Sequence, residues 1–143
     1  MPPSVTISII NYRTADLTLG CLRSVLADLR GIDGQVVIVD NASGDGSAEE
    51  IAAWIDAQPA NLPVKVMPSE THSGFAGGHN KGMVDPPVGR CLVLNSDAAL
   101  RSGFLKTTLE AAHANRDAGL SAGFPHDYPI LYGLFLSHPA FDL

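Results

Sequence analysis

Four short apolar stretches alternate with helical patterns along this chain, and that alternation sets the class of fold. Val5-Thr6-Ile7-Ser8-Ile9-Ile10 is rich in β-branched residues and stops at Asn11, which reads as a buried strand. Thr14 is placed to cap a helix with Leu22, Val25, Leu26 and Leu29 at helical spacing, closed by Gly31 and Gly34. Gln35 to Asp40 is a second apolar strand, ended by the turn formers Asn41-Ala42-Ser43-Gly44-Asp45-Gly46. Ser47 and Glu50 have capping-box spacing ahead of a helix with Ile51, Trp54 and Ile55 on its buried stripe, and Pro59 to Pro63 ends it. Val64 to Met67 makes a third strand, a glycine-rich segment runs from His72 to Gly82, and Arg90 to Asn95 makes a fourth strand. A further helix is expected from Ser102 to Arg116.

Strands alternating with helices imply an α/β fold, a mostly parallel sheet with helices on both faces. Ligands bind such sheets outside the carboxyl ends of the strands. Here those ends carry Asn11, Asp40, the residues after Met67, and Asn95-Ser96-Asp97. A carboxylate at Asp40 can accept a hydrogen bond from the imide nitrogen of uracil or thymine, or hold a ribose hydroxyl. It can equally cap the loop that follows its strand. Asn95-Ser96-Asp97 places one carboxylate beside two oxygen-bearing side chains, a set that suits a hard divalent cation keeping several waters and bridging a diphosphate. The same triplet can serve a turn through backbone hydrogen bonds.

The glycines between Gly74 and Gly82 let backbone approach a ligand or a neighbouring strand, because no Cβ intervenes. A loop cradling phosphate is the functional reading. The spacing is neither that of a P-loop nor that of the dinucleotide fingerprint. His72 and His79 flank these glycines and could face the ligand, and no two histidines have metal-ligand spacing on a helix. With no Gly-x-Ser-x-Gly elbow and no Cys-x-x-Cys pair, nucleophilic hydrolase and zinc chemistry have no support.

A net charge of -6 argues against binding nucleic acid through its phosphates. An acidic protein that takes a phosphorylated ligand needs a metal or backbone amides to hold it. Cys21 and Cys91 sit among apolar neighbours and read as buried free thiols of a cytoplasmic protein. No apolar run reaches the roughly 18 residues of a membrane span, and Met1-Pro2-Pro3-Ser4 lacks the basic region of a signal peptide. Every Lys and Arg lies at or before Arg116, whereas Phe124, Tyr128, Tyr132, Phe135 and Phe141 crowd the remainder. No helical or strand period is legible there. The expected division is therefore 1–116 as the ligand-binding unit and 117–143 as an atypical tail, a lid or edge on the sheet or a segment whose usual continuation is missing. An aromatic tail of this kind is also a route to homo-oligomers.

Val5 to Tyr12 (VTISIINY), Val36 to Ser47 (VVIVDNASGDGS), Ser73 to Gly82 (SGFAGGHNKG) and Leu92 to Ala98 (LVLNSDA) together resemble successive blocks of family 2 glycosyltransferases with the GT-A fold, especially the rhamnosyltransferase-like branch. The resemblance implies the nucleotide-sugar-binding, Rossmann-like half of a GT-A domain, apparently truncated. It implies that Asp40 reads the nucleobase, that Ile10 and Asn11 help form the base pocket, and that Asp97 binds the metal, Mg2+ or Mn2+. Ser96 stands where many members carry a second acid or a proline. His72, Gly74, Asn80, Asn95 and Ser96 fall in blocks that line the nucleotide and donor-sugar pocket, although the family commonly has Asn where this chain has His72.

The donor implied is a UDP- or dTDP-linked sugar, and the reaction is inverting transfer to an acceptor that the sequence does not identify. The carboxylate that takes the acceptor's proton should follow the metal motif by about another hundred residues. No such block is found between Asp117 and Leu143, where Asp127, in His126-Asp127-Tyr128, is the only acid apart from Asp117 and Asp142, so no catalytic base is assigned. The alternative is a catalytically incomplete nucleotide-binding or assembly module that keeps the fold without transfer. A phosphoacceptor receiver domain would need an acidic pair after the first strand, where this chain has Asn11-Tyr12-Arg13. A dinucleotide-dependent oxidoreductase would need glycines in that same turn.

Overall fold

The strands and helices form in the expected order. The computed structural model describes residues 4–84, 90–116, 120–123 and 133–137. Strands β1 (Val5–Asn11), β2 (Gly34–Asp40), β3 (Val64–Pro68) and β4 (Arg90–Leu94) alternate with helices α1 (Ala15–Asp28), α2 (Ser47–Asp56), α3 (Gly74–Val84) and α4 (Phe104–Ala114). The four strands pair in parallel, with β1 between β2 and β4 and with β3 outside β2. Ile7 lies opposite both Val36 and Leu92, which puts side chains of like parity on one face.

That parity builds the core. Val5, Ile7, Ile9, Val36, Ile38, Leu92 and Leu94 meet Leu22 and Val25 of α1, Ile51 of α2 and Leu105 of α4 in one buried cluster. α3 covers the opposite face, over β1 and β2. The sheet therefore carries helices on both faces.

The glycine-rich segment is a helix and not the phosphate-cradling loop expected from its composition. Its glycines are used for close packing. A Cβ on Gly78 would lie 2.7 Å from Ile10 Cδ1, and one on Gly82 would lie 2.8 Å from Ser8 Oγ. A bulkier residue at either site would hold α3 off the sheet.

Two helix starts also differ from expectation. Ser47 is the first residue of α2, after Gly46 in the left-handed conformation, and no capping box forms. The Ser47 hydroxyl is taken instead by Asn11. Thr14 flanks α1 without a side-chain cap bond of its own. α4 begins at Phe104, behind Gly103, two residues later than the sequence pattern suggested.

No period is legible in the tail, for which an edge on the sheet is one reading, and it contributes two strands at that sheet's edge. β5 (Leu120–Gly123) and β6 (Gly133–Ser137) pair with each other antiparallel, and β6 pairs antiparallel with β4, giving the order β3-β2-β1-β4-β6-β5. Strands of four and five residues are too short to show a period, so their pairing is a tertiary outcome. No helix among the described residues is long and apolar enough to cross a membrane.

Candidate functional site

At the carboxyl end of the sheet the core face turns polar. Asn11 continues the inward series Ile7, Ile9, and Asp40 continues Val36, Ile38, while register sets Asn11 opposite Asp40. Asn11 is fully buried and Asp40 nearly so. The Asn11 amide nitrogen donates to Asp40 Oδ1 at 2.7 Å and to Ser47 Oγ at 2.8 Å. It also lies 3.2 Å from Ser43 Oγ. With two hydrogens to give, the shorter pair are its principal bonds. The Asn11 oxygen accepts from Thr18 Oγ1 at 2.9 Å.

Asp40 takes two further bonds, from the Ser43 hydroxyl at 2.5 Å to Oδ1 and from the Ser43 backbone amide at 3.1 Å to Oδ2. The Asn11 side chain therefore acts by holding Asp40, from within the protein. Asp40 Oδ2, with one bond from Ser43, is the less engaged of its two oxygens.

Asn41 ties the next element to this point. Its amide nitrogen donates to the Gly74 carbonyl at 3.0 Å, and its oxygen accepts from the Ser73 amide at 3.0 Å. Gly74 meets the bend with φ +70, a conformation that favours glycine. The start of α3 is thus fastened to the end of β2. Ile10 lies half-buried beneath Gly78 on the same face.

Tyr12 and Arg13 form an exposed rim that the sequence reading passed over. Arg13 has φ 56, held by its amide bonding Ser43 Oγ at 3.0 Å and its Nε bonding the Ser43 carbonyl at 3.0 Å. Its guanidinium lies 5.2 Å from the Tyr12 ring centroid, within cation–π range. His72 meets the other side of Tyr12 edge-on, with centroids 4.5 Å apart. Their position directly after β1 was the signal available in the sequence. Asp45, also in the β2 loop, is held below the usual carboxylate range by hydrogen bonds from Ser47, with a smaller contribution from the Arg13 charge.

Beyond β4, Asn95 and Ser96 are half-buried and Asp97 is exposed. The Asn95 carbonyl accepts from the Ala98 amide at 3.1 Å, closing a turn with Asp97 inside it. Among the described residues no three His, Cys, Asp or Glu side chains cluster as a metal site. A single carboxylate beside neutral oxygens fits a hard cation that keeps water and takes its remaining ligands from a diphosphate.

The two histidines beside the glycines separate. His72 is exposed on the rim, whereas His79 is buried against β1, with Nδ1 2.8 Å from Ser8 Oγ. Burial pushes His79 down to about 4. Asn80 lies on the exposed side of α3, opposite the buried Gly78, His79 and Gly82, and is not drawn into the Asp40 cluster. Cys21 and Cys91 are free and buried. Burial, with the nearby Asp97 charge adding to it, pushes Cys21 up to about 12, and burial alone does the same for Cys91. Neither thiol is a nucleophile at neutral pH. Asp117, Asp127 and Asp142 lie outside the described residues.

The order of these strand ends has a counterpart among known proteins. The model of the glycosyl transferase family 2 matches residues 4–132. The chain belongs to this family. No curated protein matches it. Among solved structures it is similar to the mannosyltransferase PcManGT from Pyrobaculum calidifontis in complex with GDP-Man and Mn2+, with a TM-score of 0.74 at 19% identity, over 96% of this chain and 45% of that one. It is also similar to S. aureus TarS 1-349 in complex with UDP-GlcNAc, with a TM-score of 0.67 at 16% identity, over 89% of this chain and 36% of that one. The fold of this family 2 chain is that of GT-A glycosyltransferases. The chain spans less than half the length of the structures it resembles.

Proposed function

We propose that this chain binds a nucleoside-diphosphate sugar across the ends of β2, β1 and β4, as the donor-binding part of an inverting family 2 glycosyltransferase. The observation that carries this reading is that Asp40 ends β2 and Asp97 lies in the turn after β4, with β1 and its exposed Tyr12 rim between those two strands. Adjacent strands lie about 4.8 Å apart, so the ends of β2 and β4 are separated by roughly 10 Å, the reach of a nucleoside and its first phosphates. Asp40, held by Asn11 and Ser43, accepts from the base or ribose at one end. Tyr12 offers its ring to the base, and His72 braces that ring. Ile10 and Gly74 line the floor and the α3 side.

At the other end Asp97, with Asn95 and Ser96, would hold a divalent ion, Mg2+ or Mn2+, whose chemistry is to offset charge on a departing diphosphate. Similar structures hold GDP-Man with Mn2+ in one case and UDP-GlcNAc in another, which supports this class of ligand. The expected donor here carries UDP or dTDP, since an acceptor oxygen at Asp40 suits an imide N–H. Asn80 is assigned no contact.

Titration calorimetry with UDP, dTDP and GDP, each with and without Mn2+, tests the reading. Metal-dependent binding is expected, and Asp97→Ala should weaken its metal-dependent part by at least about tenfold, the scale on which even outer partners of a metal ligand act. Binding that is indifferent to both Mn2+ and Asp97→Ala would refute the metal assignment. Transfer to a sugar acceptor by the purified chain separates an active enzyme from a binding module that keeps the fold alone.

A further inference from the structure

The segment from Asn95 to Leu105, which carries Asp97, is tied along its length to one stripe of α1. Cys21, Ser24 and Asp28 are spaced by three and four residues and therefore share a helix face. Cys21 Sγ donates to the Asn95 carbonyl at 3.6 Å. Ser24 Oγ gives its hydrogen to the Cys21 carbonyl at 2.7 Å and accepts from the Leu100 amide at 3.0 Å. Asp28 accepts from the Gly103 amide at 2.6 Å and from the Leu105 amide at 2.7 Å. At the near end of α1, Thr14 Oγ1 lies 3.4 Å from Ser96 Oγ.

Asp28 does what α4 lacks for itself. Gly103 precedes α4 with φ 85 and no side chain to receive first-turn amides. A carboxylate from α1 receives them instead, with its charge at the positive end of the α4 dipole. Ala98 and Leu105 anchor the same segment in the core. The loop is thus held before and after Asp97, while Asp97 itself stays exposed.

We propose that Ser24 and Asp28 are positioning residues for Asp97, so that one stripe of α1 sets how well the loop presents its carboxylate to an ion and a diphosphate. Neither touches the ligand. A loop free to move would lose conformational entropy on ligation, and the tether has already removed much of that freedom. This inference rests on the assignment of Asp97 made above.

The test compares Asp28→Asn and Ser24→Ala with the unaltered chain, using the tightest binder among UDP, dTDP and GDP with and without Mn2+, and its parent nucleoside in parallel. Hydrogen exchange of the amides from Ser96 to Leu105 is followed in the same samples. The expected result is a loss of about tenfold in the Mn2+-dependent affinity for the diphosphate, the scale of outer-shell partners of metal sites. Nucleoside affinity should be unchanged, and exchange should quicken in that segment. A folded Asp28→Asn protein with unaltered Mn2+-dependent affinity overturns the proposal, and so does an equal loss for the nucleoside, which marks general destabilisation. Should Asp28→Asn not fold, Ser24→Ala decides by the same criteria. If the unaltered chain binds the nucleoside but shows no Mn2+ dependence, the assignment of Asp97 fails first and the tether's role falls with it.

Discussion

Asn11→Asp is expected to cost this fold far more stability at neutral pH than in acid. The substitution keeps the shape of the side chain and replaces its donor nitrogen by oxygen at a site 2.7 Å from Asp40 Oδ1. Two carboxyl groups so close in a buried site cannot both be ionised, so one must keep its proton. The folded variant then binds a proton that the unfolded chain releases above about pH 4. The stability contributed by this proton is fully present below that pH and is lost as the pH climbs through the raised folded value.

At pH 7 the loss should be at least about 3 kcal/mol, since a hydrogen bond to a carboxylate disappears and repulsion replaces it. That is a large part of the 5–15 kcal/mol typical of a domain. Asn11→Ala removes the donor without adding a charge, so it should destabilise with far less pH dependence. Urea unfolding of both variants between pH 4 and pH 8 provides the measurement. A loss of stability relative to the unaltered chain that is the same at every pH for Asn11→Asp would show that Asn11 does not hold Asp40.

The second large effect concerns His79. Burial between α3 and β1 pushes it down to about 4, against 6.5 for an ordinary histidine. Among the described residues its Nε2 has no hydrogen-bond partner, so a proton there would be buried without an acceptor. Since the unfolded chain binds that proton more readily, stability is full above about pH 6.5 and declines as the pH falls toward 4. The gap of about 2.5, at about 1.4 kcal/mol for each, amounts to about 3 kcal/mol.

Unfolding midpoints of the unaltered chain and of His79→Gln, taken from pH 7.5 to pH 4, isolate this contribution. Carboxylates titrate in both proteins, and only the unaltered chain has His79. The unaltered chain should therefore lose stability more steeply than the variant between pH 6.5 and pH 4. Parallel slopes would remove His79 from the account. Since Ser73 and Gly74, at the start of α3, make the contacts to Asn41, acid should also loosen the candidate site before the sheet itself unfolds.

The strands and most helices were legible because their signal is local. β-branched runs such as Val36 to Val39 and the stripe Leu22, Val25 need only their near neighbours to declare a period. The site was legible in part for the same reason, since Asp40 and Asp97 are polar residues that interrupt apolar strands at the end where such sheets bind ligands. The glycine segment stays open in the sequence between approach to a ligand and approach to a strand, because composition alone does not separate a glycine loop from a helix pressed against a strand. Gly78 and Gly82 acquire their meaning only from Ile10 and Ser8 beneath them.

Sequence by itself determined the alternation of strand and helix, the parallel arrangement of the first four strands that follows from it, and the polar residues at the strand ends. Tertiary structure alone decided that Asn11 is an internal support for Asp40, that Ser47 serves Asn11 and not a capping box, that His79 faces the core while His72 faces the rim, and that Asp28 caps a helix far along the chain. The difference has one physical cause. Periodicity is written in neighbouring residues, whereas a hydrogen-bond partner is chosen by register and by which face of a helix meets the sheet, and those depend on the whole chain having packed.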